Sequence, residues 1–271
     1  MQAVSANLAG HDPLLTQLTL LTHLRAPTPH RTAPHRTAPH RTAPHRTAHF
    51  RSSSRSFVSA DYLGCGRSKG TFIDGNLSRW VDDTIVLLDS LRDVSPTFSS
   101  KQKFVLVGGG VGGWVGVVLA IKRPDLVRGI VGLASDPDFT EDLLWQTFSD
   151  AEKDEIMTVG YKDIHWGSET YPISKSLIED GRQNLILRGG DNSLDVHCPV
   201  RLIHAITDEE VPYTTALKLA ACIKSRDVVC TFPKTGCHQL DDEEDFRRMR
   251  EAVKDVIESS VEYDLRSPGS G

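Results

Sequence analysis

A glycine cluster between an apolar strand and a helix is the first stretch of this sequence where chemistry could occur. Residues 104–107 are apolar, and a helical pattern follows the glycines. A tight turn from strand to helix presents one residue at the top of a parallel sheet. Two motifs use such a turn, the nucleophile elbow G-x-S-x-G and the dinucleotide-binding turn G-x-G-x-x-G. Gly108, Gly110 and Gly112 fit the first motif, except that Gly110 occupies its serine position. Gly108, Gly110 and Gly113 fit the second without a mismatch.

An acid and a histidine follow the ends of two later strand candidates. Asp208 comes after the strand predicted at 200–206, and His238 comes after the strand predicted at 227–232. In open parallel sheets, ligands bind at the carboxyl ends of strands. The chain order of nucleophile, acid and histidine is typical of hydrolases that use the elbow. There the acid orients the imidazole, which acts as general base and then as general acid. Each residue alone fits a turn or a surface loop, so the prediction rests on the combination.

The dinucleotide alternative stays open at this stage. Asp136 lies 23 residues beyond Gly113, after the next predicted strand. A dinucleotide-binding unit places the acid that binds the ribose at about that distance. However, this fingerprint usually opens its domain, whereas here a strand, a glycine-rich loop and a helix precede it. The alternative also leaves the Asp208 and His238 loops without a role.

Other reactive side chains give weaker signals. His204 lies within an apolar strand and is predicted to be a core residue. His197 and Cys198 are adjacent but lack further ligands, so we predict no metal site and no cofactor. Residues 104–116 contain no Ser and no Cys. Cys65 and Cys237 are the thiols nearest to the predicted site, although both stand at positions with the wrong geometry for a nucleophile.

Strands and helices alternate through most of the chain. We predict strands and helices at the following positions: strands at 55–60, 104–107, 129–134, 200–206 and 227–232, and helices at 77–91, 113–121, 213–223 and 245–257. This alternation predicts an α/β fold with a mostly parallel sheet covered on both faces. Residues 135–195 interrupt it with acidic, aromatic-bearing segments. Helices are predicted there at 141–148, 152–157 and 171–178, as a lid inserted above the sheet.

The N-terminal segment differs in composition from the rest of the chain. Residues 29–48 are four tandem copies of Pro-His-Arg-Thr-Ala. This period matches no helix or strand, so we predict that residues 1–54 are disordered, apart from a possible short amphipathic helix at 13–24. The segment is rich in Arg and poor in acids, which is typical of transit peptides. The predicted globular domain is 55–260, followed by a loose tail at 261–271.

Charge and cysteine content exclude several functional classes. The 271-residue chain has a net charge of −5, while residues 1–56 carry seven Arg, no Lys and one acid. The remaining residues therefore carry a charge of −11, which argues against non-specific nucleic-acid binding. No apolar run approaches the ~18 residues of a membrane span. Five scattered cysteines without a C-x-x-C pair indicate free thiols in a reducing compartment.

Residues 56 to about 260 resemble the α/β-hydrolase superfamily, and within it the mitochondrial palmitoyl-protein thioesterases, also described as mycophenolic acid acyl-glucuronide esterases. The resemblance is carried by short segments shared with that family: residues 61–68, 77–83, 112–114, 123–124, Val127, 198–204, Asp208 and 211–212. It implies a helical lid, a mitochondrial location, with a cytoplasmic location as the alternative, and hydrolysis of S-palmitoylated proteins or acyl esters such as acyl glucuronides. It also implies that Asp208 is the triad acid, His238 the triad base and the Val111 N–H an oxyanion donor.

Two departures from that family predict impaired or absent catalysis. The nucleophilic serine falls on Gly110, which has no side chain. The upstream strand and loop that supply the second oxyanion donor are replaced by the repeats, so we expect the N-terminal strands to be incomplete. The sequence thus predicts a hydrolase scaffold that is a pseudoenzyme or an impaired enzyme. A non-catalytic module that binds an acyl chain is a further alternative.

Overall fold

The computed structural model describes residues 18–23, 55–94, 102–166 and 169–266. Eight strands are found within these ranges: β1 (Leu18–His23), β2 (Arg55–Ala60), β3 (Phe104–Gly109), β4 (Val127–Leu133), β5 (Tyr161–Trp166), β6 (Glu169–Ser174), β7 (Val200–Ile203) and β8 (Val228–Thr231). Six of them form one sheet in the order β2-β1-β3-β4-β7-β8, and β5 pairs with β6 in a separate hairpin.

The second half of the sheet is parallel throughout. β3 pairs with β4, β4 with β7 and β7 with β8, all in parallel register. β3 and β4 are buried along almost their whole length, which explains why both read as continuous apolar runs and not as alternating patterns. Their carboxyl ends therefore meet at one edge of the sheet, where the chemistry-bearing loops begin.

The N-terminal side of the sheet departs from the prediction. Leu18–His23 is strand β1, which pairs antiparallel with both β2 and β3. The amphipathic helix predicted at 13–24 is therefore wrong for these residues, because pairing between two strands outweighs the local pattern. The repeats lie outside the described residues. The structure describes only two strands before β3, as expected for an incomplete N-terminal side.

The described part of the chain contains six α-helices: α1 (Leu77–Val94), α2 (Val111–Lys122), α3 (Asp150–Val159), α4 (Lys175–Gln183), α5 (Thr214–Cys222) and α6 (Glu243–Arg266). Of these, α2, α5 and α6 pack directly on the six-stranded sheet. α2 is the central one, with every residue from 111 to 120 buried. A helix that is apolar on all sides must be enclosed on all sides. α6 continues to Arg266, so the loose tail predicted from 261 is wrong for residues 261–266.

The lid is built differently from its prediction. Residues 140–145 form a π-helical turn and Asp150–Val159 is helical, in rough agreement with the pattern. However, 169–174 is strand β6, paired with the unpredicted strand β5, and helix α4 starts only at Lys175. The helix predicted at 171–178 is thus wrong in its first half. Ser174 ends the strand and caps α4 by accepting the Leu177 N–H at 3.0 Å.

The glycines of α2 differ in what surrounds them, and this difference predicts opposite effects of alanine. A Cβ on Gly113 would lie 2.1 Å from the Ser135 Oγ, whereas a Cβ on Gly116 would have nothing nearer than 3.8 Å. We expect Gly113→Ala to lower the free energy of unfolding by about 1–3 kcal/mol through overpacking. Gly116→Ala should raise it by about 0.5–1 kcal/mol, because alanine loses less backbone entropy. Urea unfolding followed by circular dichroism measures both, and equal effects would contradict this packing.

Candidate active site

The turn between β3 and α2 has the geometry of a nucleophile elbow. Gly110 has φ 48° and ψ −123°, a conformation that L-amino acids with a side chain rarely adopt. Its N–H donates to the Leu133 carbonyl at 2.9 Å, which fixes the turn to the end of β4. A Cβ on Gly108 would lie 2.3 Å from the Gly112 carbonyl, so this close approach requires glycine. The backbone conformation at the tip of this turn is therefore well defined, and the residue at the tip is a glycine.

Asp208 and His238 meet at the carboxyl ends of β7 and β8. The Nδ1 of His238 lies 2.9 Å from the Asp208 Oδ2, and both side chains are almost fully buried. Because a carboxylate only accepts hydrogen bonds, Nδ1 carries the proton and donates it. The Nε2 of His238 then keeps its lone pair, which is the state that a general base requires. The structure thus brings together the acid and the histidine that the sequence places 30 residues apart.

The Asp208 carboxylate accepts four hydrogen bonds in the folded chain. Its Oδ1 accepts the backbone N–H groups of Glu210 and Val211, both at 2.9 Å. Its Oδ2 accepts from His238 and also from the Nε2 of His204, which lies 3.1 Å away. The predicted core residue His204 is indeed fully buried, and its Nε2 also lies 2.9 Å from the Val211 carbonyl. The carboxylate is consequently held in one orientation.

These contacts set the charges of the pair. Burial disfavours the carboxylate, but hydrogen bonds from His204, His238 and the Val211 N–H outweigh it and lower the pKa of Asp208. Burial also disfavours a charged imidazole, yet the hydrogen bond and the negative charge of Asp208 raise the pKa of His238 above its ordinary value. The ring is therefore more basic than a free histidine, while Asp208 stays ionised.

A second set of bonds ties the two loops together. The Thr207 hydroxyl donates to the Gly236 carbonyl at 2.9 Å, and it accepts the Gly236 N–H at 3.1 Å. The Ile206 N–H donates to the Pro233 carbonyl at 2.8 Å, which extends the β7–β8 pairing beyond the strands. The loop that carries Asp208 and the loop that carries His238 therefore keep a fixed separation.

Comparisons with known proteins place this arrangement in a family. The chain matches no family model. It is 33% identical to a putative hydrolase from Agrobacterium vitis of known crystal structure, with a TM-score of 0.67 over 76% of this chain and 77% of that one. The mouse alpha/beta hydrolase domain-containing protein 10 gives 26% identity and a TM-score of 0.63, over 76% and 79% of the two chains. The chain belongs to the α/β-hydrolase superfamily. The Homo sapiens mitochondrial palmitoyl-protein thioesterase ABHD10 is 27% identical over 210 residues, or 77% of this chain. The chain spans 65% of that relative's length.

Val111, which the sequence analysis predicts as an oxyanion donor, lies next to the glycine turn of this α/β-hydrolase. Val111 is the first residue of α2, directly after Gly110. The N–H groups of the first helical turn have no acceptor within their own helix, and they lie at the positive end of its dipole. The Val111 N–H is thus suited to a developing oxyanion. β1 runs antiparallel to β3 and places Leu18 beside Gly108, and the residues that precede Leu18 lie outside the described ranges.

Asp136 is a further acid at this edge of the sheet. It follows β4, and its backbone N–H donates to the Gly110 carbonyl at 3.3 Å. Its side chain is 3% exposed, and the Oδ1 has no hydrogen-bond partner. Burial raises the pKa of Asp136 to about 8, against an opposing effect of His238, so the group is mostly protonated at neutral pH. Sequence reasoning considered this residue only as a ribose-binding acid and did not connect it with His238.

The alternative nucleophiles have other surroundings in this α/β-hydrolase. Cys65 is buried in the main hydrophobic core, within the glycine-rich loop that follows β2. Cys237 is exposed, and its Sγ lies 3.4 Å from the Asp241 Oδ1. Burial raises the pKa of the Cys198 thiol to about 12, while its neighbour His197 contacts Asp195. In the described ranges, no three His, Cys, Asp or Glu side chains are arranged to hold a metal ion.

His204 is the contact residue that sequence reasoning placed in the core without a further role. The available signal was its spacing, since His204 and Asp208 are four residues apart across the end of a strand. None of the described helices is long and apolar enough to cross a membrane.

Proposed function

We propose that this α/β-hydrolase is an impaired or inactive relative of the acyl thioesterases. In this proposal, Asp208 and His238 are the acid and base of a triad whose nucleophile position is occupied by Gly110. The Val111 N–H is the remaining oxyanion donor. The imidazole would accept a proton from a nucleophile, but no side chain at residue 110 can attack an acyl carbon.

A single observation supports this proposal most strongly. The base and acid are assembled with a 2.9 Å hydrogen bond, while the residue at the tip of the elbow is a glycine. Removing the serine of a triad costs on the order of 10⁶ in rate, and this loss does not require unfolding. The scaffold is therefore expected to survive without its chemistry, because its stability comes from burial around α2 and not from the nucleophile.

The substrate class and the location follow from the relatives. The human relative is described as a mitochondrial palmitoyl-protein thioesterase, which supports an acyl thioester or ester as the molecule that this scaffold recognises. The Arg-rich, acid-poor N-terminal composition supports a mitochondrial location for this chain as well. Acyl esters such as acyl glucuronides belong to the same proposal, because they pass through the same kind of oxyanion.

The proposal predicts little turnover by the unmodified chain. We expect hydrolysis of a short-chain p-nitrophenyl ester and of a palmitoyl-thioester probe to remain within about tenfold of the rate measured with His238→Ala. A complete triad accelerates the reaction by ~10⁶-fold, but its imidazole contributes little of this acceleration when no nucleophile is present. The assay compares initial rates of the two purified chains at equal concentration. Robust turnover that His238→Ala abolishes would overturn the claim of impaired catalysis.

The two remaining functions make different predictions in binding experiments. A dinucleotide site would require Asp136 to accept ribose hydroxyls, but this side chain is buried and its raised pKa keeps it mostly protonated. Calorimetric titration with NAD and NADP should therefore give no binding heat.

A non-catalytic acyl-binding module would retain a palmitate analogue without hydrolysing its thioester. The same titration with that analogue tests this alternative.

A further inference from the structure

His204 directly follows strand β7 and lies fully buried beside the Asp208 carboxylate. Its backbone N–H donates to the Thr231 carbonyl at 3.0 Å, which holds the residue at the end of the β7–β8 pairing. Its ring Nε2 lies 2.9 Å from the Val211 carbonyl oxygen and 3.1 Å from the Asp208 Oδ2. The same Oδ2 lies 2.9 Å from the His238 Nδ1, so two imidazole rings contact one carboxylate oxygen.

The neighbours of the His204 ring determine where its proton lies. A carbonyl oxygen only accepts hydrogen bonds, so Nε2 carries the proton and shares it between Val211 and Asp208. The Nδ1 of His204 is buried, and within the described part of the chain it has no hydrogen-bond partner. A second proton on Nδ1 would be a buried donor without an acceptor, which is costly. His204 is consequently a neutral ring that donates one shared N–H.

The hydrogen bonds of the described residues fill the acceptor sites of the Asp208 carboxylate. An ionised carboxylate has about four lone-pair sites. Oδ1 accepts the backbone N–H groups of Glu210 and Val211, both at 2.9 Å. Oδ2 receives the N–H groups of His204 and His238. The two rings therefore compete for the negative charge of a single oxygen.

This competition affects how strongly His238 holds a second proton. Burial opposes the charged ring, while the hydrogen bond and charge of Asp208 favour it and raise the pKa of His238. Asp136 and Glu210 are the other charged groups that favour the charged ring. The bond from His204 is strongest when no cation compensates the carboxylate, because a donor gains more from an uncompensated negative charge. His204 therefore stabilises the state in which His238 is neutral.

We propose that His204 is a positioning residue that limits the basicity of His238 by sharing the Asp208 Oδ2 with it. A general base must be unprotonated before it can accept a proton, and a buried carboxylate alone favours the protonated ring. The neutral donor on the far ring opposes this effect without contacting a substrate. The inference rests on the proposed role of His238 as the base, and it assigns a function to a residue outside the triad.

Proton NMR titration of His238 in the full chain tests this role without requiring a nucleophile. The chain has 11 histidines, so the His238 signal is assigned by its absence in His238→Ala. In His204→Leu, which removes the N–H, the titration midpoint of His238 should rise by about 0.5–1 pH unit. Damage to the packing alone would weaken the contact with Asp208, and the midpoint would then fall toward that of a free histidine.

Three further variants separate this inference from the proposed function. His204→Gln keeps a side-chain N–H, so the midpoint should stay within about 0.2 pH unit of the unmodified chain. His197→Gln, a change at an exposed ring that contacts Asp195, should leave it unchanged. Asp208→Asn should lower it, and failure to do so would contradict the acid–base pair itself. If Asp208→Asn lowers the midpoint but His204→Leu leaves it unchanged or lowers it, only the role of His204 is wrong.

Nitrogen NMR of the unmodified chain gives a second measurement that needs no folded His204→Leu protein. The two ring nitrogens of His204 have different ¹⁵N shifts when one is protonated and the other is not. We expect a protonated Nε2 and an unprotonated Nδ1 at neutral pH, as the shared bond to Val211 and Asp208 requires. The opposite tautomer, or protons on both nitrogens, would overturn the proposal.

Discussion

Gly110→Ser is expected to create a reactive serine hydrolase from this chain. Residue 110 lies at the tip of the elbow, and the His238 ring is already oriented by Asp208 with its Nε2 available as a base. A serine hydroxyl placed there would transfer its proton to Nε2 as it attacks an acyl carbon or a phosphonyl centre. With a fluorophosphonate probe, the new Ser–O–P bond replaces the P–F bond and fluoride leaves. Labelling of Gly110→Ser should therefore be strong where the unmodified chain shows none at residue 110.

The size of the gain depends on the oxyanion donors. A complete triad serine contributes on the order of 10⁶, and the absence of one oxyanion donor typically costs ~10²–10³. If Val111 is the sole donor, ester hydrolysis by Gly110→Ser should exceed that of the unmodified chain by about 10³-fold or more. A positive φ at a serine costs about 1–3 kcal/mol, so a modest loss of stability should accompany the gain.

A double variant provides the control for this prediction. Gly110→Ser combined with His238→Ala keeps the hydroxyl but removes the base, so the probe should no longer label the chain. Ser135 offers an internal comparison, because its buried Oγ should stay unlabelled in every variant. Absence of labelling in a folded Gly110→Ser chain would contradict the proposed roles of Asp208 and His238.

The parts of the fold that the sequence predicts correctly are those with strong local signals. The helix predicted at 77–91 is α1, which starts at the predicted residue and ends three residues later, at Val94. The strand predicted at 55–60 is β2, with the same bounds. Both have clear patterns and clear boundaries. Strands β3 and β4, which lie beside the glycine turn, were recognisable because a buried parallel strand is apolar on both faces.

The wrong secondary-structure predictions occur where pairing with another strand decides the conformation of a segment. Leu18–His23 has a pattern that fits a short helix, but it inserts between two strands that lie far from it in sequence. The lid strand β6 likewise forms only because β5 pairs with it. A local pattern does not contain such long-range hydrogen bonds, so helix and strand stay ambiguous for short apolar runs.

The same distinction applies to the candidate site. Asp208 and His238 were identifiable from residue type, chain order and position at strand ends, because these features can be read from the linear sequence. The contact of His204 with Asp208 and the orphaned Oδ1 of Asp136 depend on side-chain packing and burial. The orphaned Oδ1 arises only when the sheet brings the loops together, whereas the contact of His204 with Asp208 left one signal in the sequence, their four-residue spacing.

Asp208→Asn in the Gly110→Ser chain is expected to lower the rate of ester hydrolysis by about 10⁴-fold, the effect of the corresponding change in a serine-protease triad. An asparagine amide can turn its NH₂ toward His238, which then presents its proton to the nucleophile and not its lone pair. Loss of the negative charge also removes the interaction that raises the pKa of His238. The acidic limb of the pH–rate profile should therefore move to lower pH, since the imidazole now loses its proton more easily.

Glu210→Gln is the matched control for this last prediction. Glu210 is on the same loop and donates its backbone N–H to Asp208, a bond that the side-chain change leaves in place. Glutamine also keeps an oxygen that can accept the Gln239 amide, which lies 3.3 Å from the Glu210 Oε1. The rate should therefore change by less than about threefold, because Glu210 is a half-buried charge whose effect on His238 is smaller than that of Asp208. Similar losses in both variants would mean that the loop tolerates no change at all, and the specific role of the Asp208 carboxylate in orienting His238 would then be wrong.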